Sequence, residues 1–147
     1  METTNIVTER PILITQNPTS EYMLLFRGSH WDKGLSAEEL QQVMGKVSAW
    51  FERLQQQGKM KGARPLGDEG RTVSGKNGKT VADGPFAESK EAVGGYLVVL
   101  VDNLDEAVAI AKTCPTLEYG TKIEVRPVLD ECPKFKRANE ERALATA

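Results

Sequence analysis

The pattern of apolar and polar positions along the chain predicts four principal strands. Residues 22–27 and 95–101 are nearly continuous apolar runs, as expected of strands that are covered on both faces. Residues 122–128 alternate between polar and apolar side chains, which predicts the last strand. A shorter strand is predicted over residues 60–66.

Two predicted helices separate these strands. Ser36 and Glu39 form the capping-box pattern, in which each side chain binds the backbone amide of the other residue. An apolar stripe with helical spacing follows over residues 40–54, and it predicts a helix with one buried face. Asn103 is a favourable cap for the second helix, which Pro115 ends.

A hairpin is inserted among these elements. Residues 71–74 and 79–82 flank a Gly-Lys-Asn-Gly turn, which is typical of a β-hairpin. Without the hairpin, the order is strand, helix, strand, strand, helix, strand. This order predicts a ferredoxin-like α+β fold, in which both helices cover one face of an antiparallel sheet. Because the strands are apolar on both sides, the other face needs a second layer, and a second copy of the chain is its simplest source.

Two flanking segments surround this predicted domain of residues 21–129. Residues 1–20 are predicted to be an N-terminal extension that serves as an edge strand or as an arm on a partner subunit, with a disordered leader as the alternative. Residues 130–147 are predicted to be a charged tail, in which residues 140–145 become helical only against a partner.

Composition and charge exclude several classes of function. The net charge of −2 gives no overall basic field for nucleic acid or an anionic membrane. No apolar run approaches the roughly 18 residues of a membrane-spanning helix, and the polar N-terminus is unlike a signal peptide, so a cytoplasmic protein is predicted. Cys114, Cys132 and the single histidine show no metal-ligand spacing, and phosphate-loop and dinucleotide motifs are absent. We therefore predict no cofactor.

The segment 83–95 shows no clear period, and connections of such length are often functional. Asp83 either starts an Asx turn or places a carboxylate at a pocket mouth, where it would act as a base or ligand anchor. Phe86 is either a plug in a dimer core or a platform for substrate. His30, the only histidine, follows the first strand and could approach this segment. His30 and Asp83 are therefore the predicted catalytic acid–base couple.

Charged residues near this segment are predicted to contact a ligand. Glu88 and Lys90 either form ion pairs with each other or allow Lys90 to bind an anion. Arg64 is a candidate anion clamp, or else a salt-bridge partner of Glu124 or Glu88. The predicted ligand-binding residues are Pro85, Phe86, Glu88, Lys90 and Arg64.

The run Asp83-Gly84-Pro85-Phe86-Ala87-Glu88-Ser89-Lys90-Glu91, followed by Gly94-Gly95-Tyr96, resembles the signature of the DGPF-domain branch of the YCII-related family. The resemblance extends over residues 21–129. It implies a dimeric α+β barrel and a homodimer. Family members are mostly uncharacterised bacterial proteins, some of which sit beside extracytoplasmic-function sigma factors, and one relative removes chloride from a substituted hydroquinone.

The sequence departs from the family at one place. Smaller members are thought to use a histidine on the first helix and an aspartate before a proline, but these places hold Ala49 or Trp50, and Cys114. That dyad does not carry over. We therefore predict a small-molecule-binding protein with its pocket near residues 83–95. It is either a cofactor-free acid–base enzyme, or a non-catalytic ligand sensor or protein-partner module linked to sigma-factor regulation.

Overall fold

The computed structural model of the protein describes residues 20–84 and 92–146. The strands and helices are β1 (Ser20–Arg27), α1 (Ala37–Gln56), β2 (Met60–Pro65), β3 (Arg71–Ser74), β4 (Thr80–Asp83), β5 (Val93–Val101), α2 (Leu104–Ala111), β6 (Lys122–Val128) and α3 (Pro133–Thr146). Two short 3-10 turns, Lys76–Gly78 and Pro115–Tyr119, complete the described secondary structure.

Four strands form one antiparallel sheet in the order β2-β5-β1-β6, and β3 and β4 form a separate hairpin. Without the hairpin, the order along the chain is βαββαβ, and the first and third of its four strands are the central strands of the sheet. This confirms the predicted ferredoxin-like α+β fold. The edge strands are β2 and β6, which contain Pro65 and Pro127.

The core lies between this sheet and the helices α1 and α2. Leu24 on β1 pairs with Leu97 on β5, and both side chains are fully buried. From α1, Trp50 packs against the same cluster and is 2% exposed. Burial of large apolar side chains is the main stabilising contribution to such a fold.

The opposite face of the sheet is open. Because side chains alternate along a strand, the neighbours of Leu24 and Leu97 point away from the helices. This open face carries the half-buried apolar side chains Met23, Leu25, Tyr96, Val98 and Leu100. Ion pairs flank them: Lys61 Nζ lies 2.6 Å from Glu21 Oε2, and Arg27 pairs with Glu124.

Both predicted helix caps are confirmed. Ser36 Oγ accepts a hydrogen bond from the Glu39 amide at 3.1 Å, and the Ser36 amide donates to Glu39 Oε1 at 2.9 Å. At the start of α2, the Glu106 amide donates to Asn103 Oδ1 at 2.9 Å. These bonds satisfy amides that have no partner within the helix.

Replacing Ser36 by alanine is expected to lower the free energy of unfolding by about 1 kcal/mol at neutral pH, because the capping bond is lost. The hydrogen bonds from Ser36 hold the pKa of Glu39 below its ordinary value. A lowered carboxyl pKa stabilises the fold only while the group is ionised. The share of the lost free energy that comes from Glu39 should therefore disappear as the pH falls through the pKa of Glu39. Urea denaturation measures both effects. Ser48→Ala, at an exposed position inside α1, is the control and should not destabilise the protein.

Some details differ from the prediction. The hairpin turn is a 3-10 turn in which Asn77 adopts a positive φ of 62°, and β4 continues to Asp83, so that the connection to β5 is shorter than predicted. A 3-10 turn follows α2 where no element was predicted. The helix α3 is longer than the predicted 140–145 segment and is exposed. The predicted N-terminal extension lies outside the described residues, apart from Ser20, which begins β1. No helix in residues 20–84 and 92–146 has the length and apolar character required to cross a membrane.

Candidate functional site

A cavity of about 570 Å³ opens at one end of the sheet. The end of β1, the start of β5 and the end of β2 form its floor. Helix α1 and the Pro115–Tyr119 turn line it on the face of the sheet that the helices cover. The connection between β4 and β5 joins the sheet at this end, since Gly94 and Gly95 line the cavity. The described end of the segment that the sequence singled out therefore borders a cavity.

Aromatic side chains dominate the lining of the cavity. Phe26, Trp31, Trp50 and Phe51 line it, as does Tyr96, whose strand position belongs to the open face. Trp50 meets Phe26 edge to face with ring centroids 6.4 Å apart, and its centroid lies 5.4 Å from that of Phe51. The indole N–H of Trp50 donates to Thr113 Oγ1 at 2.7 Å, which fixes the ring. These contacts make a rigid apolar wall.

The two glycines at the start of β5 are explained by close packing at the cavity. A Cβ on Gly94 would lie 2.9 Å from the Cβ of Ser29, and one on Gly95 would lie 3.0 Å from the carbonyl oxygen of Arg64. Larger residues would push the β1–α1 loop and β2 away from the sheet. Glycine therefore lets three segments meet around the cavity.

The charged residues that line the cavity are arginines. Arg64, on the edge strand β2, is exposed. Arg27 also lines the cavity and pairs with Glu124, and the hydrogen bond from Arg27 lowers the pKa of that carboxyl. Arg126 Nε lies 3.8 Å from Glu124 Oε2, so Arg126 is a salt-bridge residue on the sheet. Within the described part of the chain, no carboxylate lines the cavity.

Buried polar groups lie on the inner side of the cavity. Thr116 Oγ1 lies 3.2 Å from Cys114 Sγ and 2.9 Å from Thr121 Oγ1, and all three residues line the cavity. In the β1–α1 loop, Ser29 Oγ and His30 Nε2 are enclosed and have no hydrogen-bond partner among the described residues. Of these two residues, Ser29 lines the cavity.

The predicted site residues occupy different surroundings. Asp83 is the last residue of β4; its side chain is 78% exposed, and Oδ1 lies 3.2 Å from Arg71 Nε across the hairpin. His30 lies in the β1–α1 loop beside a lining residue, and neither His30 nor Asp83 lines the cavity. Arg64 does line it. The other predicted ligand-binding residues, Pro85, Phe86, Glu88 and Lys90, lie outside the described residues.

Several lining residues escaped the sequence analysis. Trp50 belongs to the apolar stripe predicted to form the buried face of the first helix, and it is both core and cavity wall. The group Cys114, Thr116 and Thr121 was missed, because its members are brought together by the 3-10 turn and by Gly120, whose φ is +95°. The segment Cys-Pro-Thr after the helix was the available signal, since a proline can start a new turn.

Metal ligands do not gather at this site. Across residues 20–84 and 92–146, no group of three or more His, Cys, Asp or Glu side chains could hold a metal ion. Cys114 and Cys132 are free thiols, the first buried and the second exposed.

Comparison with solved structures finds a similar protein, the 5-chloro-2-hydroxyhydroquinone dehydrochlorinase of Burkholderia phenoliruptrix AC1100 in complex with 2,5-dihydroxybenzoquinone. The similarity covers 75% of this chain and 95% of that chain, at 16% sequence identity and a TM-score of 0.42. No curated protein matches the chain. A family model, the YCII-related domain, matches residues 12–131, which is most of the sequence. The chain belongs to the YCII-related family.

Proposed function

We propose that the protein binds a small aromatic or similarly apolar anion in the cavity at the end of the sheet. The observation that carries this proposal is the composition of the lining, which combines five aromatic residues with two arginines and, among the described residues, no carboxylate. The cavity volume of about 570 Å³ lies within the usual range for small-molecule sites.

Each part of the lining is suited to bind a different part of the ligand. The rings of Phe26, Trp50 and Phe51 favour a flat apolar body, because such surfaces leave water on binding. Arg64 makes no ion pair with any described residue, and its guanidinium can bind a carboxylate or phenolate through two hydrogen bonds. A neutral apolar compound would use the rings alone and should bind more weakly.

Acid–base chemistry without a cofactor is a second candidate. It is supported by the enclosed Nε2 atom of His30, which has no partner among the described residues and is adjacent in sequence to Ser29, a lining residue. Histidine is the side chain that most often transfers protons in enzymes. Asp83, paired with Arg71 on the hairpin, would have to leave that ion pair before it could assist His30.

A homodimer is the form in which we expect the protein to act. The open face of the sheet has an apolar centre of five side chains with ion pairs around it, which is the usual composition of a protein interface. A second copy placed face to face would cover these side chains in both subunits. This agrees with the barrel that the family resemblance implies.

The binding proposal is tested by replacing Arg64 with methionine, which keeps the length of the side chain and removes its charge. The probe is 4-isopropylbenzoate, and its binding is followed by the fluorescence of Trp31 and Trp50, which both line the cavity. Loss of a charge-assisted hydrogen bond at a partly exposed site should raise Kd about tenfold.

The matched control is Arg71→Met on the hairpin, outside the cavity, which should leave Kd unchanged. Equal affinities for Arg64→Met and Arg71→Met would contradict the role of Arg64. If 4-isopropylbenzamide, the uncharged analogue, bound the wild-type protein as tightly as the benzoate, the proposal of an anion site would be wrong.

A further inference from the structure

The buried polar residues of the described chain are both at the cavity. Thr116 and Thr121 are each 7% exposed, and both line it. Cys114, which is 6% exposed, completes a row of three side chains through its contact with Thr116. Buried polar groups carry an energetic penalty unless they are hydrogen-bonded, so the bonds of this row can be accounted for one by one.

The row has one more donor than it can use internally. The thiol and the two hydroxyls each carry one hydrogen, which makes three donors, and the row contains two contacts. Each contact uses one hydrogen. Whether the bonds run from Cys114 towards Thr121, in the reverse direction, or from both ends towards Thr116, one hydrogen remains. No other side-chain hydrogen bond of these three residues occurs within the described structure.

The row and Arg64 lie on opposite sides of the cavity. Thr121 immediately precedes β6, while Arg64 is on β2, and the sheet order places β5 and β1 between them. Three strand spacings separate the two edge strands, which corresponds to about 14 Å. Arg64 and Thr121 both line the cavity. The row and Arg64 therefore border the cavity from opposite edges of the sheet.

We propose that the row Cys114–Thr116–Thr121 donates a hydrogen bond to an oxygen on the apolar body of the ligand, at the end opposite its anionic group. This inference rests on the proposed function, because it assigns the second recognition point of the same cavity. The ligand class is thereby narrowed to aromatic anions that also carry a carbonyl or comparable oxygen acceptor. The row is a specificity element, since an analogue without the oxygen would leave a buried donor unsatisfied.

Two probes of nearly equal shape test this assignment. In 4-acetylbenzoate a ketone oxygen replaces one methyl group of 4-isopropylbenzoate, and the rest of each molecule is alike. Because the row supplies a donor, wild-type protein should bind 4-acetylbenzoate about fivefold more tightly. Isothermal titration calorimetry of the full chain gives both dissociation constants.

A variant without the row should reverse the preference. The combined substitutions Cys114→Ala, Thr116→Val and Thr121→Val remove all three donors together, so no single group is left unpaired and the fold should be retained. This variant should prefer 4-isopropylbenzoate, because a ketone without a partner is poorly accommodated in an apolar cavity. The control combines Thr72→Val and Thr80→Val on the exposed hairpin, and it should keep the wild-type preference.

The outcomes separate the two proposals. If wild-type protein binds both probes with equal affinity, or if the triple variant still prefers 4-acetylbenzoate, the role of the row is wrong while the anion site stands. If neither probe binds wild-type protein at millimolar concentration, the proposed function fails together with the row. The wild-type comparison requires no variant, so it decides the question even if the triple variant is unstable.

Discussion

Replacing Trp50 by alanine is expected to lower the free energy of unfolding by about 3–5 kcal/mol, the usual loss for a large buried aromatic side chain. Trp50 is 2% exposed and contacts the rings of Phe26 and Phe51, and its N–H donates to Thr113. Alanine would remove these contacts and leave a void. Urea denaturation at one fixed protein concentration measures the change.

The same substitution should also weaken probe binding, because Trp50 lies between the cavity and a neighbouring groove. The residue lines the cavity of about 570 Å³ and also a groove of about 420 Å³ between α1 and α2. Without the indole ring the two spaces would merge, and 4-isopropylbenzoate would lose one wall. A rise in Kd of about tenfold or more is expected, which calorimetry measures on protein that remains folded.

Trp31→Ala is the control for this pair of effects. Trp31 also lines the cavity, but it is half-buried in the β1–α1 loop, where its ring lies 5.8 Å from that of Tyr119. It should weaken binding with a smaller loss of stability. An equal loss of stability in both variants would show that Trp50 has no special place in the core.

Replacing Leu25 by aspartate is expected to prevent dimer formation. Leu25 lies at the centre of the open face, between Tyr96 on β5 and Glu124 on β6. In a two-fold dimer each copy contributes the new carboxylate, so two uncompensated charges would be buried in one interface. The dissociation constant should rise by at least about a hundredfold. Analytical ultracentrifugation should then show a 16.2 kDa species, against twice that mass for the wild-type protein.

Leu144→Asp is the matched control, because Leu144 is 78% exposed on α3. It should leave the mass unchanged. A wild-type protein that sediments as a monomer at micromolar concentration would contradict the proposed homodimer. So would a Leu25→Asp variant that remained dimeric.

The fold was predictable because its signals are local. The capping box at Ser36 and the cap at Asn103 depend on residues three positions apart, and both are found as predicted. The sheet followed from the order of elements, because few topologies accommodate two βαβ units in one antiparallel sheet. The turn after α2 was missed, because Pro115 was assigned only to the end of the helix, whereas it also begins the turn Pro115–Tyr119.

The candidate site was only partly predictable because it is assembled from distant segments. Arg64 was identified from its position in a strand and lines the cavity. The contribution of Thr121 could not be inferred, because the Gly120 turn and the pairing of β6 with β1 bring it there. The couple of His30 and Asp83 was predicted from loop placement and remains a prediction.

The prolines on the two edge strands bear on how the protein avoids unwanted polymerisation. An exposed sheet edge can recruit further strands and grow into a fibre, because its backbone donors and acceptors are unpaired. Pro65 on β2 and Pro127 on β6 each remove one such donor, and β2 is further interrupted by an irregular register next to Lys61. The open face of the sheet, by contrast, is covered once a single partner has bound to it. The sheet therefore favours a closed pair and resists open-ended aggregation.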